Sequence, residues 1–173
     1  MLVQTKEILI IMVKKTALLG MLTSLALIAS YIETLIPVPI PVPGVKLGLA
    51  TLIILIVLKL YGAKEGLLLN ILRILLAGFL FGSFSTILYS LAGGLLSFAV
   101  MGVLLKTKLF SLMGVSIAGG VCHNLGQLLL ASVSLNSAAL LSYMPVLLIS
   151  GLLTGLLIGI GAEQILRHLP KNL

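Results

Sequence analysis

The sequence predicts an all-α membrane protein: a six-transmembrane-helix bundle with both termini cytoplasmic. Three observations predict it. Of 173 residues, 60% are hydrophobic and only 9% charged, against about 25% charged in a soluble domain, and the mean hydropathy is +1.31. The apolar runs are continuous and do not alternate, which argues helices and excludes a barrel. The cations sit at the ends of apolar runs, where they set orientation. The net charge of +7 therefore implies no nucleic-acid partner. The chain divides into a lead-in (1–13), one transmembrane domain (14–167) and a short tail (168–173).

The lead-in is ambiguous, because Met12-Val-Lys-Lys resembles a second start. Residues 1–11 are then either an upstream extension or a short amphipathic piece. Lys14 and Lys15 before an apolar run resemble a signal-peptide start. The run is too long and no small-x-small cleavage site follows, so it reads as a retained first span, 16–36. Small residues recur on it four apart, Gly20 with Ser24 and Ala26 with Ser30, a pattern that lets helix backbones approach closely. Glu33 lies near its far end.

Residues 37–44 read PVPIPVPG. Proline fixes φ and lacks an N–H, so this is a stiff, extended connector. Lys46 leads into the second span, 47–60, which is short by the ~20-residue rule. The third span is 64–82, and a turn at 82–85 follows it. The fourth, 86–105, carries Gly93-Gly94. The fifth, 112–132, carries His123, Asn124 and Gln127. A polar, uncharged loop (133–142) precedes the sixth, 143–165. There Gly151, Gly155 and Gly159 recur four apart and predict a close helix–helix seam.

Charge gives the orientation. Lys14, Lys15, Lys59, Lys64, Lys106, Lys108, Arg167 and Lys171 fall at alternate span ends, while the opposite loops hold only Lys46. This satisfies the positive-inside rule with both termini in the cytoplasm of a bacterial cell membrane.

The third span contains an exception to its own greasiness. Asn70 and Arg73 lie three apart, on one helical face. Eleven large apolar residues surround them. At roughly −0.5 kcal/mol each they contribute about −5 kcal/mol to insertion, against about +3 for one central arginine. Arg73 thus sits some nine residues in, roughly 13 Å along the helix and near mid-membrane. An arginine there faces a partner or a wet cavity. The functional reading is a pocket open to the outside, floored by Arg73 and Asn70, lined by His123, Asn124 and Gln127, and lidded by the proline loop with Glu33 and Lys46 beside it. The bland reading pairs Arg73 with Glu33 or helix carbonyls, makes Asn124 and Gln127 interhelical glue, and leaves His123 a buried neutral imidazole. Tyr31, Tyr89 and Tyr143 are explained by the interfacial aromatic belt. One cysteine and two histidines do not make a metal site, and no cofactor is implied. Cys122 reads as a small packing residue.

The runs 43–50 (PGVKLGLA) and 72–78 (LRILLAG), the turn 81–85 (FGSFS) and the segment 123–127 (HNLGQ) resemble the Gx transporter family, also catalogued as heptaprenyl diphosphate synthase component I. The likeness covers about residues 14–166. At longer range the chain is similar to the substrate-binding S components of energy-coupling factor (ECF) vitamin transporters. That resemblance implies six membrane helices and an outward-facing site gated by the loop after the first helix. It implies docking through Gly20, Ser24, Ala26 and Ser30 to a transmembrane coupling subunit carrying two cytoplasmic ATPases. The small residues here depart from the alanine pair usual in that motif.

Two functions follow. One is an S-component-like subunit that captures a small vitamin-like or cofactor-precursor solute. The other is a non-catalytic accessory subunit in isoprenoid or quinone metabolism. Neither is an enzyme. A prenyl diphosphate synthase holds Mg²⁺ on aspartate-rich segments, and this sequence has no aspartate. There is also no phosphate loop of the GxxxxGK[ST] kind.

Overall fold

The computed structural model describes residues 2–35 and 48–169. The proline run and Lys46, the expected lid and its cation, lie outside the described residues. Among the described residues there are six α-helices: α1 (Leu2–Leu35), α2 (Leu49–Tyr61), α3 (Ala63–Phe81), α4 (Phe84–Thr107), α5 (Leu112–Ser134) and α6 (Met144–His168). A short 3-10 helix (Ala138–Tyr143) occupies part of the stretch expected to be a plain loop.

The boundaries have local causes. No Gly precedes Gly20 and no Pro precedes 37, so nothing breaks the lead-in, and it continues into α1 as one helix. The Ser83 hydroxyl accepts from the Thr86 N–H at 3.3 Å and starts α4. Ser111 does the same for α5, accepting from Gly114 N–H at 3.1 Å. Each satisfies one orphan donor of a first turn. Gly62 joins α2 to α3 with φ of 93°, a conformation that favours glycine. Pro145 sits in the first turn of α6, where its missing N–H costs nothing.

Close contacts fix the arrangement. The predicted glycine seam is present between α5 and α6. A Cβ added at Gly155 would lie 2.6 Å from Ile117 Cα, and one at Gly151 would lie 2.9 Å from Gly120 O. Gly159 likewise meets Met113 Cα, at 2.8 Å. Rising numbers on α6 meet falling numbers on α5, so the two are antiparallel. On α4, Gly93 meets the His123 carbonyl of α5 at 2.5 Å, and Gly126 meets Ala92 O of α4 at 2.7 Å. α1 runs parallel to α3: Lys15 bridges Glu65 at 2.5 Å, and the Tyr31 and Phe81 rings lie 4.8 Å apart. This register gathers Lys15, Lys59, Lys64, Lys106, Lys108 and Arg167 at one end of the bundle.

Four segments are long and apolar enough to cross a membrane: Met12–Leu35, Phe84–Thr107, Leu112–Ser134 and Ala138–His168. α2 is apolar but has 13 residues, about 20 Å, short of a ~30 Å hydrocarbon core. The 19 residues of α3 include Lys64, Glu65 and Arg73. The packed interior centres on α2, whose Ile53–Leu58 run is buried on all sides. Elsewhere large apolar side chains such as Phe79, Leu153 and Leu157 point outward, as expected of a surface facing lipid.

Candidate functional site

α2 starts deep in the bundle. A Cβ on Gly48, just ahead of it, would touch the Ile158 side chain at 2.6 Å. Ile158 lies well over half-way along α6, and α6 runs parallel to α2, since Gly161 contacts Leu52. α2 therefore leaves the far halves of α3 and α6 without its company, and a cavity opens at its N-terminus. All six helices line it: Glu33 from α1, Thr51 from α2, Arg73 from α3, Ser90 from α4, Ser116, His123 and Asn124 from α5, and Thr154 and Ile158 from α6. The empty space is about 500 Å³ with its mouth included. It is narrow, with room for about two waters.

Arg73 is buried, at 9% exposure, and is held by its own helix. One Nη2 hydrogen goes to Asn70 Oδ1 at 3.2 Å. Asn70 in turn donates from Nδ2 to the Gly94 carbonyl of α4 at 3.1 Å. It reaches that carbonyl because Gly94 has no side chain, with Asn70 Nδ2 only 3.4 Å from where a Cβ would stand. Arg73 Nε has no hydrogen-bond partner among the described residues. Leaving a buried donor of a charged group unpaired costs more than a kilocalorie or so, so this atom is where the site is incomplete. Glu33 acts on the guanidinium electrostatically, and its carboxylate also accepts the Leu49 N–H that opens α2.

The sequence-predicted residues separate into two groups. Glu33, Arg73, His123 and Asn124 meet at the cavity. Asn124 also donates Nδ2 to the Leu147 carbonyl of α6 at 2.8 Å, so it is interhelical glue as well as wall. Asn70 stands behind Arg73 as its brace and is not in the wall. Gln127 shares the His123 face, as four-residue spacing demands, but that face meets α4 at Gly93. Gln127 is buried there, away from the cavity, with Oε1 unpartnered among the described residues. Lys46 is outside them.

The expected docking set is divided. At 100° per residue Gly20 and Ser24 fall on one face, and Ala26 and Ser30 lie about a third of a turn (~120°) around from it. Gly20 and Ser24 are exposed, while Ala26 (0% exposed) and Ser30 (7%) are packed inside and present nothing to a partner. Gly20 borders an apolar groove between α1 and α3, with Leu19, Thr23, Leu68 and Leu72.

Sequence reasoning missed the hydroxyls: Thr51, Ser90, Ser116 and Thr154. Ser116 is 3% exposed, and its Oγ has no hydrogen-bond partner among the described residues. A membrane-helix serine more often bonds back to its own helix, so an unpartnered one at a cavity is a second incomplete group. Isolated serines in greasy helices carry no periodic signal that would have singled these out.

The family described as heptaprenyl diphosphate synthase component I matches residues 22–165. The chain belongs to that family. The matched stretch takes in every described residue of the cavity wall. No curated protein and no solved structure matches the chain.

Proposed function

We propose that this family member is the substrate-binding subunit of an ECF-type uptake transporter, a six-span protein of the bacterial cytoplasmic membrane. It takes a small vitamin-like or cofactor-precursor solute from outside and depends on a coupling subunit and two ATPases for energy. One observation carries the reading: a buried guanidinium beside an opening to which all six helices contribute, with an N–H left unpaired among the described residues. A structural arginine closes its hydrogen bonds within the protein, whereas a binding arginine keeps one for its ligand. The cation-rich end of the bundle is cytoplasmic under the positive-inside rule, which puts Glu33 and the cavity mouth toward the exterior. The narrowness of the cavity implies that a solute larger than a few heavy atoms enters only when the walls move. Gly20 and Ser24, on the exposed face of α1, are the positions this reading assigns to the coupling subunit.

The family's description favours a second reading, a non-catalytic membrane subunit beside an isoprenoid-processing enzyme. The lining argues against storage of a prenyl chain, because Ile158 is its only large apolar member among the described residues. Affinity capture of the chain from its native membrane separates the two. The transport reading expects a membrane coupling subunit and two ATPases. Capture of a polyprenyl-forming enzyme in their place would overturn it.

A further inference from the structure

We infer that the groove between α1 and α3 is a lipid site, which takes one acyl chain of an anionic phospholipid and holds its headgroup at Lys64. The inference goes beyond the transport reading and does not depend on it. α1 is the least enclosed of the four long spans. It meets α3 through the Lys15–Glu65 ion pair at the cation-rich end and through the Tyr31 and Phe81 rings at the other. Between these contacts lies a groove of about 640 Å³, its open side included, walled by Leu19, Gly20 and Thr23 from α1 and by Leu68 and Leu72 from α3. A Cβ on Gly20 would meet nothing within 4 Å, so the two helices stay apart there. From Lys15 to Thr23 the groove runs about 12 Å along α1, close to the ~15 Å of one leaflet's hydrocarbon.

The lining selects a hydrocarbon chain. Thr16 and Thr23 donate their hydroxyls to carbonyls of their own helix, Met12 O at 2.9 Å and Leu19 O at 2.8 Å. Beyond Glu65 the groove therefore offers hydrocarbon and no spare side-chain donor, which suits neither a polar solute nor a peptide. A partner helix is about 10 Å across and does not enter a slot whose walls touch at both ends, whereas a single acyl chain does. Helical rows place the headgroup. Lys15, Leu19 and Thr23 lie four apart on α1, and Lys64, Leu68 and Leu72 four apart on α3, so each row shares one face. Each wall thus ends in a lysine at the depth of lipid headgroups. Lys15 is neutralised by Glu65 at 2.5 Å. Lys64 is exposed and has no ion-pair partner among the described residues. Lys14, next to Lys15 in the chain, adds charge of the same sign. An anionic headgroup answers that charge and a zwitterionic one does not. A long polyprenyl chain would outrun a groove one leaflet deep, which favours a phospholipid.

The test uses the full chain, purified in detergent and washed free of loosely held lipid. It is given equal amounts of phosphatidylglycerol and phosphatidylcholine with the same acyl chains. A second competition sets phosphatidylglycerol against a polyprenyl phosphate. Retained lipid is counted per protein by native mass spectrometry. The expected result is one retained phosphatidylglycerol, favoured about fivefold over phosphatidylcholine, the effect of one lysine near a lipid surface. Lys64→Gln brings the two lipids to near parity. Gly20→Phe fills the groove from a position with open space around it and lowers retention of both lipids about tenfold, the effect of displacing a few methylenes. Size exclusion shows that each variant is folded, and Lys64→Gln decides alone if Gly20→Phe is not. No retained lipid, no preference in wild type, or an unchanged preference in Lys64→Gln overturns the inference. So does full retention in folded Gly20→Phe, or tighter retention of the polyprenyl phosphate. None of these outcomes touches the transport reading, which concerns the Arg73 cavity.

Discussion

Asn70 is the hinge of the arginine's placement, and Asn70→Leu is the substitution that exposes this. Leucine has similar bulk, so the gap beside Gly94 stays filled. What disappears is the 3.1 Å bond to the Gly94 carbonyl and the 3.2 Å bond from Arg73 Nη2. The first is a neutral hydrogen bond, worth about 1 kcal/mol, and the second involves a charge, worth about 1.5–3 kcal/mol. Their sum is about 3 kcal/mol. For a chain of this length that corresponds to a fall of about 6–12 °C in thermal midpoint. Asn70→Asp is the companion. It loses the donor to Gly94 but gives Arg73 a carboxylate, so its midpoint stays within about 1 kcal/mol of wild type. Because that carboxylate now competes for the guanidinium, bound solute falls about tenfold or more. Both midpoints are read by fluorescence-detected size exclusion after heating. An Asn70→Leu protein as stable as wild type would show that Asn70 does not hold Arg73, and the reasoning would fail.

Three further outcomes are expected. Gly155→Ala places a methyl 2.6 Å from the Ile117 backbone and destabilises by about 1–3 kcal/mol, whereas Gly20→Ala, with nothing within 4 Å, leaves the midpoint unchanged; equal effects would refute the α5–α6 seam. Ser116→Ala removes a buried hydroxyl with no partner among the described residues, so stability holds or rises by up to about 1 kcal/mol while solute binding weakens; a loss of stability would make the serine structural. In a Cys122→Ala background, Lys108→Cys is labelled by an impermeant maleimide only from the cytoplasm and Ser137→Cys only from outside; labelling of both from one side would refute the six-span topology.

Much of the architecture was legible because it rests on local signals. The seam of Gly151, Gly155 and Gly159 is a strict four-residue spacing, and helix geometry alone turns it to one face. Asn70 and Arg73 are three apart, and their contact follows from the same geometry. The cavity was legible only where a residue was conspicuous in an apolar run: Glu33, Arg73, His123, Asn124. Its hydroxyls were not, since a lone serine in a membrane helix is ordinary. The opening itself depends on where α2 starts, a tertiary fact set by the Gly48–Ile158 contact. Gln127 lies away from the described wall because equal spacing does not say which neighbour a face meets; Gly93 decides that by letting α4 come close. The docking residues share only small size in the sequence, and it takes the packed structure to show that Ala26 and Ser30 turn inward.

The most direct measurement compares what wild-type and Arg73→Ala proteins carry out of the membrane. Both are purified identically, shown to be folded by size exclusion, and extracted for mass spectrometry. Wild type is expected to release a small polar compound at an amount comparable to the protein, and the variant about a tenth of it or less, the loss of one charged contact. Equal amounts from both would mean that the guanidinium holds no solute, and the cavity around it would then have no assigned occupant.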